Sequence, residues 1–158
     1  MKRSLGPRQW GGSKMPDGAF VTGKCLCGAV SYEVAGEPVR MSQCHCRDCQ
    51  RASGTGHMSL AFFKADGVAL HGETRSFSVT ADSGNLVTRH FCPVCGSRLF
   101  SENSARPGLI GLAVGCMEER DWFEPQMVVF TKNRSAWDVT PSKVPSFEAA
   151  APVPPPAR

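Results

Sequence analysis

The sequence predicts a mainly β domain in which short strands are held together by metal-binding cysteines. Apolar residues recur with a period of two along several short segments, and turn-forming residues separate these segments. Seven of the eight cysteines fall into three tight clusters. Short spacing between cysteines is typical of metal sites, so both observations indicate a small β-rich metalloprotein.

Alternation of side chains identifies the strands one by one. Val30, Tyr32 and Val34 alternate with small or polar residues, which is the pattern of a strand with one buried face. The same pattern occurs at residues 76–79 and 87–91, where Arg89 is predicted to share a face with Val87 and Phe91. Apolar runs predict further strands at residues 58–63, 109–114 and 127–130. Residues 47–53 are long enough for one short helical turn.

Composition predicts one domain between two disordered ends. Residues 1–18 are rich in glycine, proline and basic residues, and residues 149–158 are rich in proline, which cannot donate to a helix or sheet. The domain is therefore expected at residues 19–148. Most of the formal net charge of +4 lies in the first of these tails.

The remaining composition excludes several classes of function. No apolar run approaches the about 20 residues that a membrane helix needs, and no apolar segment follows the basic N-terminus as in a secretory signal. We therefore expect a cytoplasmic protein with reduced thiols and no membrane partner. No concentrated basic stretch occurs in the body of the chain, which argues against a nucleic-acid partner.

The first and third cysteine clusters have the form of zinc knuckles. Cys25 and Cys27 are followed by Gly28, and Cys92 and Cys95 are followed by Gly96. A glycine there can adopt a positive φ, which lets backbone N–H groups point at the sulfurs. The alternative, a pair of buried or disulfide-bonded cysteines, is disfavoured in a chain with no secretory signal.

The middle cluster differs because it offers three thiols from one short loop. Cys44, Cys46 and Cys49 lie within six residues. Three protein ligands with an open fourth position are typical of a catalytic zinc, whereas four are typical of a structural one. A histidine could also close this site, and the sequence leaves three candidates open: His45, His57 and His90. Cys116, outside the clusters, is expected to be a small buried apolar residue.

Three motifs together resemble the glutathione-dependent formaldehyde-activating enzyme family, which also includes centromere protein V. The motifs are Gly23-x-Cys25-x-Cys27-Gly28 with Tyr32, Cys44-His45-Cys46-x-x-Cys49-Gln50-x-x-Ser53-Gly54, and Arg89-x-Phe91-Cys92-x-x-Cys95-Gly96-Ser97. The segments Ala136-Trp137 and Pro145-Ser146-Phe147 also fit the family's C-terminal part. The resemblance covers roughly residues 20–150.

The resemblance implies a fold, two metal sites and an activity. It implies the β-tent fold of short coiled antiparallel sheets, and two zinc ions per chain. Cys25, Cys27, Cys92 and Cys95 would hold a structural zinc, and Cys44, Cys46 and Cys49 a catalytic one. The implied activity is that of a carbon–sulfur lyase, which combines formaldehyde with glutathione to give S-(hydroxymethyl)glutathione or releases it.

Charge suggests how a three-cysteine zinc would work. Three thiolates leave the ion with a net negative charge, which makes it better suited to holding a fourth thiolate than to acting as a strong Lewis acid. We expect glutathione or a similar thiol there, beside a small aldehyde or other electrophile. Candidates for polarising the aldehyde oxygen or transferring its proton are His45, Arg47, His57 and His90. Arg47 and Arg89 could instead only balance the thiolate charge.

Two other functions remain as alternatives. The first is a zinc-stabilised, non-catalytic binding module for a protein or nucleic-acid partner, since one fold can serve several functions. The second is thiol redox catalysis, which lacks the βαβ context of thioredoxin-like motifs. The physiological substrate, the fourth ligand of the three-cysteine zinc and the oligomeric state do not follow from the sequence.

Overall fold

The computed structural model describes residues 20–152. The predicted tail at residues 1–18 lies outside this range, as do the last six residues, so the domain boundaries stay a prediction. The described part contains ten strands and one α-helix. In chain order they are β1 (Val21–Lys24), β2 (Ser31–Val34), β3 (Arg40–Cys44), α1 (Arg47–Ser53), β4 (Met58–Lys64), β5 (Val68–His71), β6 (Arg75–Thr80), β7 (Leu86–Phe91), β8 (Arg98–Asn103), β9 (Leu109–Ala113) and β10 (Met127–Val129).

The strands form a small sheet and a large sheet. The small sheet has the order β1-β2-β5, and the large one has the order β10-β3-β4-β9-β8-β7-β6. Neighbouring strands are antiparallel except β10, which runs parallel to β3. The prediction of a mainly β fold with short antiparallel sheets and cysteine knuckles is confirmed.

One apolar core joins the two sheets. It includes Val21 and Tyr32 from the small sheet, and Met41, Phe63 and Leu112 from the large sheet. Each of these side chains is at most 1% exposed. Burying side chains of this size contributes about 1.5–3 kcal/mol apiece, so this core is a main source of stability.

The opposite face of the large sheet lines a cavity. Residues alternate between the two faces of a strand: in β4, Ala61 and Phe63 belong to the core while Leu60 and Phe62 line the cavity. In β7, Arg89 faces the cavity while His90 stacks on Phe100 on the other side. The predicted shared face is therefore confirmed for Val87 and Arg89, whereas the register shifts between His90 and Phe91, and Phe91 does not line the cavity.

The sequence predicted six of the strands and the helix but missed four strands. The six are β2, β4, β6, β7, β9 and β10, and residues 47–53 form the short helix α1. The missed strands are β1, β3, β5 and β8. β3 and β8 carry Arg40 and Arg98 at cavity-facing positions, so these strands lack a clean alternation of apolar and polar residues.

The C-terminal residues that the structure describes pass over the cavity. The backbone N–H of Phe130 donates to the carbonyl of Ala149 at 3.0 Å, and Ala150 and Ala151 line the cavity. Residues 149–152 form neither helix nor strand.

Candidate metal centres

The four-cysteine cluster lies where the two sheets meet. Cys25 and Cys27 follow β1 of the small sheet, and Cys92 and Cys95 lie between β7 and β8 of the large sheet. The Sγ atoms of Cys25 and Cys27 are 3.5 Å apart, and those of Cys27 and Cys92 are 3.7 Å apart. A tetrahedral zinc with Zn–S bonds of about 2.3 Å separates its sulfurs by about 3.8 Å. The donor set therefore fits a zinc ion, as the sequence predicted.

The backbone around this cluster favours thiolates. Gly28 and Gly96 have φ values of 79° and 75°, as their positions after the cysteines predicted. The backbone N–H of Val30 donates to the sulfur of Cys25 at 3.2 Å. The hydroxyl of Ser97 lies 3.2 Å from the sulfur of Cys95 and, with the Ser97 backbone, lowers the pKa of Cys95 to about 5. Such donors share the negative charge of a metal-bound sulfur.

The three-cysteine cluster is built around the start of α1. Cys44 ends β3, Cys46 is the N-cap residue, and Cys49 lies in the first turn. The backbone N–H of Cys49 donates to the sulfur of Cys46 at 3.3 Å, which caps the helix. The helix ends at Gly54, with a φ of 72°. All three sulfurs lie within 4.8 Å of one another.

These three sulfurs are arranged to share negative charge. Hydrogen bonds with Cys44 and Cys49, together with the nearby charge of Arg89, hold the pKa of Cys46 well below its usual range. The same sulfur contacts, with Cys46 and Cys49, raise the pKa of Cys44, and burial adds to this rise. The cluster alone therefore carries one favoured thiolate, and a bound cation would stabilise the others by its charge.

No fourth ligand closes the three-cysteine cluster within residues 20–152. No described histidine, cysteine, aspartate or glutamate joins the three sulfurs within 4.8 Å. His45 and His57 instead group with Asp138. His90 pairs with Glu102 at 2.8 Å. The histidines that the sequence left open as fourth ligands therefore lie elsewhere.

The open side of the cluster faces the cavity of about 210 Å³ on the large sheet. All three cysteines line this cavity, together with four arginines from separate parts of the chain. The arginines are Arg40 of β3, Arg89 of β7, Arg98 of β8 and Arg106 of the β8–β9 loop. Asp48 is the acidic residue at the rim, 3.8 Å from Arg89. The cavity is thus strongly cationic around a group of thiols.

Arg98 is held in the cavity wall with a free donor. Its Nε atom donates to the carbonyl of Phe100 at 3.3 Å. Its Nη1 atom is buried and has no hydrogen-bond partner among the described residues. Burial, together with the charge of Arg89, lowers the pKa of Arg98 to about 10. An unpaired buried donor of this kind is costly, and an anion in the cavity would satisfy it.

Arg40 and Arg106 form a second cationic group beside Phe62. Their guanidinium carbons lie 5.3 Å and 5.9 Å from the centre of the Phe62 ring. Burial lowers the pKa of both, and the charge of Arg106 adds to the effect on Arg40. Gly111 lies under this ring, since a Cβ there would come 2.9 Å from Phe62. The two arginines are therefore held close together by packing despite their repulsion.

Sequence reasoning placed the cysteines but missed three of these arginines. Arg40, Arg98 and Arg106 are far apart in the chain, so no basic stretch signals them. Of the residues proposed to polarise an aldehyde, none lines the cavity: Arg47 bonds to Gln50, and the three histidines point elsewhere. The alternation of side chains along each strand was the available signal. It could have placed these arginines on one face only if the order of the strands in the large sheet had been known.

Comparison with known proteins agrees with the cysteine motifs. The sequence model of the family described as glutathione-dependent formaldehyde-activating enzyme matches residues 20–133, most of the chain. The chain belongs to this family. The matched range contains all seven clustered cysteines and the four arginines of the cavity. Asp138 lies beyond this range.

A solved structure shows the same fold. The chain resembles a crystal structure of a protein from Rhodobacter sphaeroides, with a TM-score of 0.52 and 20% sequence identity. The match covers 79% of this chain and 98% of that one. At this identity the likeness concerns the fold alone.

Cys116 belongs to neither cluster; it is half-buried, its sulfur donates to the carbonyl of Arg98 at 3.2 Å, and burial raises its pKa. Among the described residues, no helix has the length and apolar character needed to cross a membrane.

Proposed function

We propose that this protein is a zinc-dependent carbon–sulfur lyase that joins and separates a small aldehyde and an anionic thiol, with formaldehyde and glutathione as the pair. The observation that carries the proposal is the convergence of three open-sided cysteines and four arginines on one cavity. A non-catalytic binding module has no need for such a cavity. This cavity, with its cysteines and arginines, therefore supports an enzyme over the binding module.

Each cysteine cluster has a distinct role in this proposal. Cys25, Cys27, Cys92 and Cys95 hold a structural zinc that joins the two sheets. Cys44, Cys46 and Cys49 hold a second zinc, which when bound keeps a substrate thiol deprotonated at neutral pH. Because metal-binding thiols must stay reduced, we place the protein in the cytoplasm.

The arginines bind and orient the thiol substrate. Glutathione carries two carboxylates, and guanidinium groups bind carboxylates through paired charge-assisted hydrogen bonds. Arg40 and Arg106 lie together beside Phe62. Among the described residues that line the cavity, the acidic one is Asp48, which pairs with Arg89. We assign these two arginines to a substrate carboxylate.

Arg89 and Arg98 act on the sulfurs of Cys46 and Cys49. The charge of Arg89 acts on Cys46 and Cys49, and the charge of Arg98 acts on Cys49. The substrate sulfur forms a bond to the carbonyl carbon, and the carbonyl oxygen gains negative charge before it takes a proton from water. The guanidinium of Arg98, which lines the cavity, donates to that oxygen and stabilises the charge where it develops.

The test must separate catalysis from the facile spontaneous addition. Exchange between hydrated formaldehyde and S-(hydroxymethyl)glutathione can be followed by ¹³C exchange NMR at equilibrium. The wild-type protein should increase the exchange rate in proportion to its concentration. Cys49→Ser should remove the increase, while the control Cys116→Ser should retain it, because Cys116 lies outside both clusters.

Equal acceleration by Cys49→Ser and wild type would exclude the three-cysteine cluster from the reaction. A wild-type protein that leaves the exchange rate at its spontaneous value with glutathione would remove formaldehyde and glutathione as the substrates.

A further inference from the structure

A cluster of two histidines and an aspartate lies behind the three-cysteine site. His45 stands between Cys44 and Cys46 in the chain, yet it does not line the cavity as they do. Its side chain is 0% exposed and groups with His57, which precedes β4, and with Asp138. The three ligand atoms lie within 4.8 Å of one another.

The distances in this cluster suit a metal ion. The Nδ1 atoms of His45 and His57 lie 3.2 Å and 2.9 Å from the same carboxylate oxygen of Asp138. An ion with bonds of about 2.0–2.1 Å to nitrogen and oxygen separates its ligand atoms by about 2.9–3.4 Å in octahedral or tetrahedral geometry. Both measured distances fall within this interval, and the shorter one is also the length of a hydrogen bond between His57 and Asp138, which an ion would replace.

His45 adds an independent observation. Its ring contacts the backbone of Gly56, and its Nδ1 atom faces Asp138 at 3.2 Å, but neither buried ring nitrogen makes a well-formed hydrogen bond with the described residues. A buried polar group without a well-formed hydrogen bond is rare in folded proteins, because it loses its bonds to water and gains little in return. A cation held by Nδ1 would satisfy that nitrogen.

The structure holds Asp138 in place against the two histidines. Its backbone N–H donates to the carbonyl of Ser135 at 3.0 Å, and its carbonyl accepts from Arg134 at 2.7 Å. A Cβ at Gly56 would lie 2.2 Å from the carboxylate oxygen, so only glycine leaves room for Asp138 there. Contacts from Arg134, Ser135 and Gly56 therefore hold Asp138 in position beside the two histidines.

We propose that His45, His57 and Asp138 bind a divalent transition-metal ion of borderline hardness, such as zinc or cobalt, as a third metal site separate from both cysteine clusters. Two imidazoles and one carboxylate form a donor set typical of such ions. The side chain of His57 is 21% exposed, which gives an approach for the ion from solvent. This site and the three-cysteine site would then share the loop at residues 44–46.

Cobalt distinguishes this site from the cysteine clusters in one titration. Thiolate-bound Co²⁺ has an intense sulfur-to-metal charge-transfer absorption, which an ion bound by nitrogen and oxygen lacks. The reduced protein is folded with increasing Co²⁺ in place of zinc, and the total bound cobalt is compared with the thiolate-bound fraction. We expect one bound ion per chain that adds no charge-transfer absorption.

Two variants locate that ion. His57→Gln should lose the ion and keep the full charge-transfer absorption, whereas His71→Gln, at an exposed position of β5, should retain both. Gly56→Ala should resemble His57→Gln, since it displaces Asp138. The proposal is overturned if the wild type binds only thiolate-bound cobalt, or if His57→Gln keeps the additional ion. It is also overturned if His57→Gln loses thiolate-bound cobalt instead, which would make the three residues a hydrogen-bonded support for the cysteine loop.

Discussion

Replacing Cys46 by serine should separate the activity of the protein from its stability. The sulfur of Cys46 is a proposed metal ligand, and it also accepts the hydrogen bond from the N–H of Cys49 that caps α1. Serine is among the preferred N-cap residues, so its hydroxyl can take over the cap. Cys46→Ser therefore removes a soft metal ligand and preserves the local helix. Cys46→Ala removes both, and should be less stable than Cys46→Ser by about 1 kcal/mol.

The corresponding change in the other cluster should have a far larger effect. Cys95 belongs to the cluster that joins the end of β1 to the β7–β8 hairpin, so its metal links the two sheets. Structural zinc sites contribute apparent binding free energies of about 10–16 kcal/mol. That range matches or exceeds the about 5–15 kcal/mol by which typical domains are stable. Cys95→Ser should therefore leave little or no folded protein.

Urea unfolding followed by circular dichroism, with the zinc-loaded proteins, measures both effects. We expect Cys46→Ser to stay folded, with an unfolding midpoint lowered only by the weaker binding of the second zinc, and with no acceleration of the formaldehyde exchange. Cys95→Ser should be unfolded in the absence of urea. A midpoint of Cys46→Ser lowered as far as that of Cys95→Ser would show that the middle cluster is structural, and the assignment of the two clusters would be wrong.

Three further changes probe the core, the cavity and the thiolates. Gly23→Ala should lower the free energy of unfolding by at least about 1–3 kcal/mol in thermal denaturation, because the added Cβ would lie 2.2 Å from the buried ring of Tyr32; an unchanged midpoint would contradict this packing. Arg106→Ala should raise the KM for glutathione about 10–150-fold, the equivalent of one charge-assisted contact of about 1.5–3 kcal/mol, and leave the KM for an uncharged thiol unchanged; equal effects on both thiols would argue against carboxylate binding. The zinc-loaded protein should lose stability to urea as the pH falls from about 7 toward 5, because protons compete with the metal for the cysteine thiolates; an unfolding midpoint that stays constant over that interval would contradict thiolate ligation.

The local signals in the sequence were enough for each short run of cysteines and for most of the strands, whereas the pairing of the first run with the third came from the family resemblance. The spacing within each cluster fixes which sulfurs can meet, and glycines after Cys27 and Cys95 predicted the positive φ values that the structure shows. The alternation around Arg89 predicted its face correctly. These features depend on neighbours within a few residues, which is why a single sequence reveals them.

The cavity could not be predicted because it depends on pairing between distant strands. Arg40 and Arg98 reach the same space only because β3, β4, β9 and β8 are neighbours in the large sheet. The grouping of His45 with Asp138 likewise joins residues far apart in the chain. The sequence left His45 open as a fourth ligand for the cysteines, but His45 directly follows β3 and groups with His57 and Asp138 instead.

The metal of the three-cysteine cluster should have a free position that takes a substrate thiol. Native mass spectrometry of the zinc-loaded protein with glutathione tests this directly. We predict one glutathione adduct on the wild type and none on Cys46→Ser, which keeps the fold but lacks the ligand. An equal adduct on both proteins, or no adduct of glutathione or any other thiol on the zinc-loaded wild type, would contradict it.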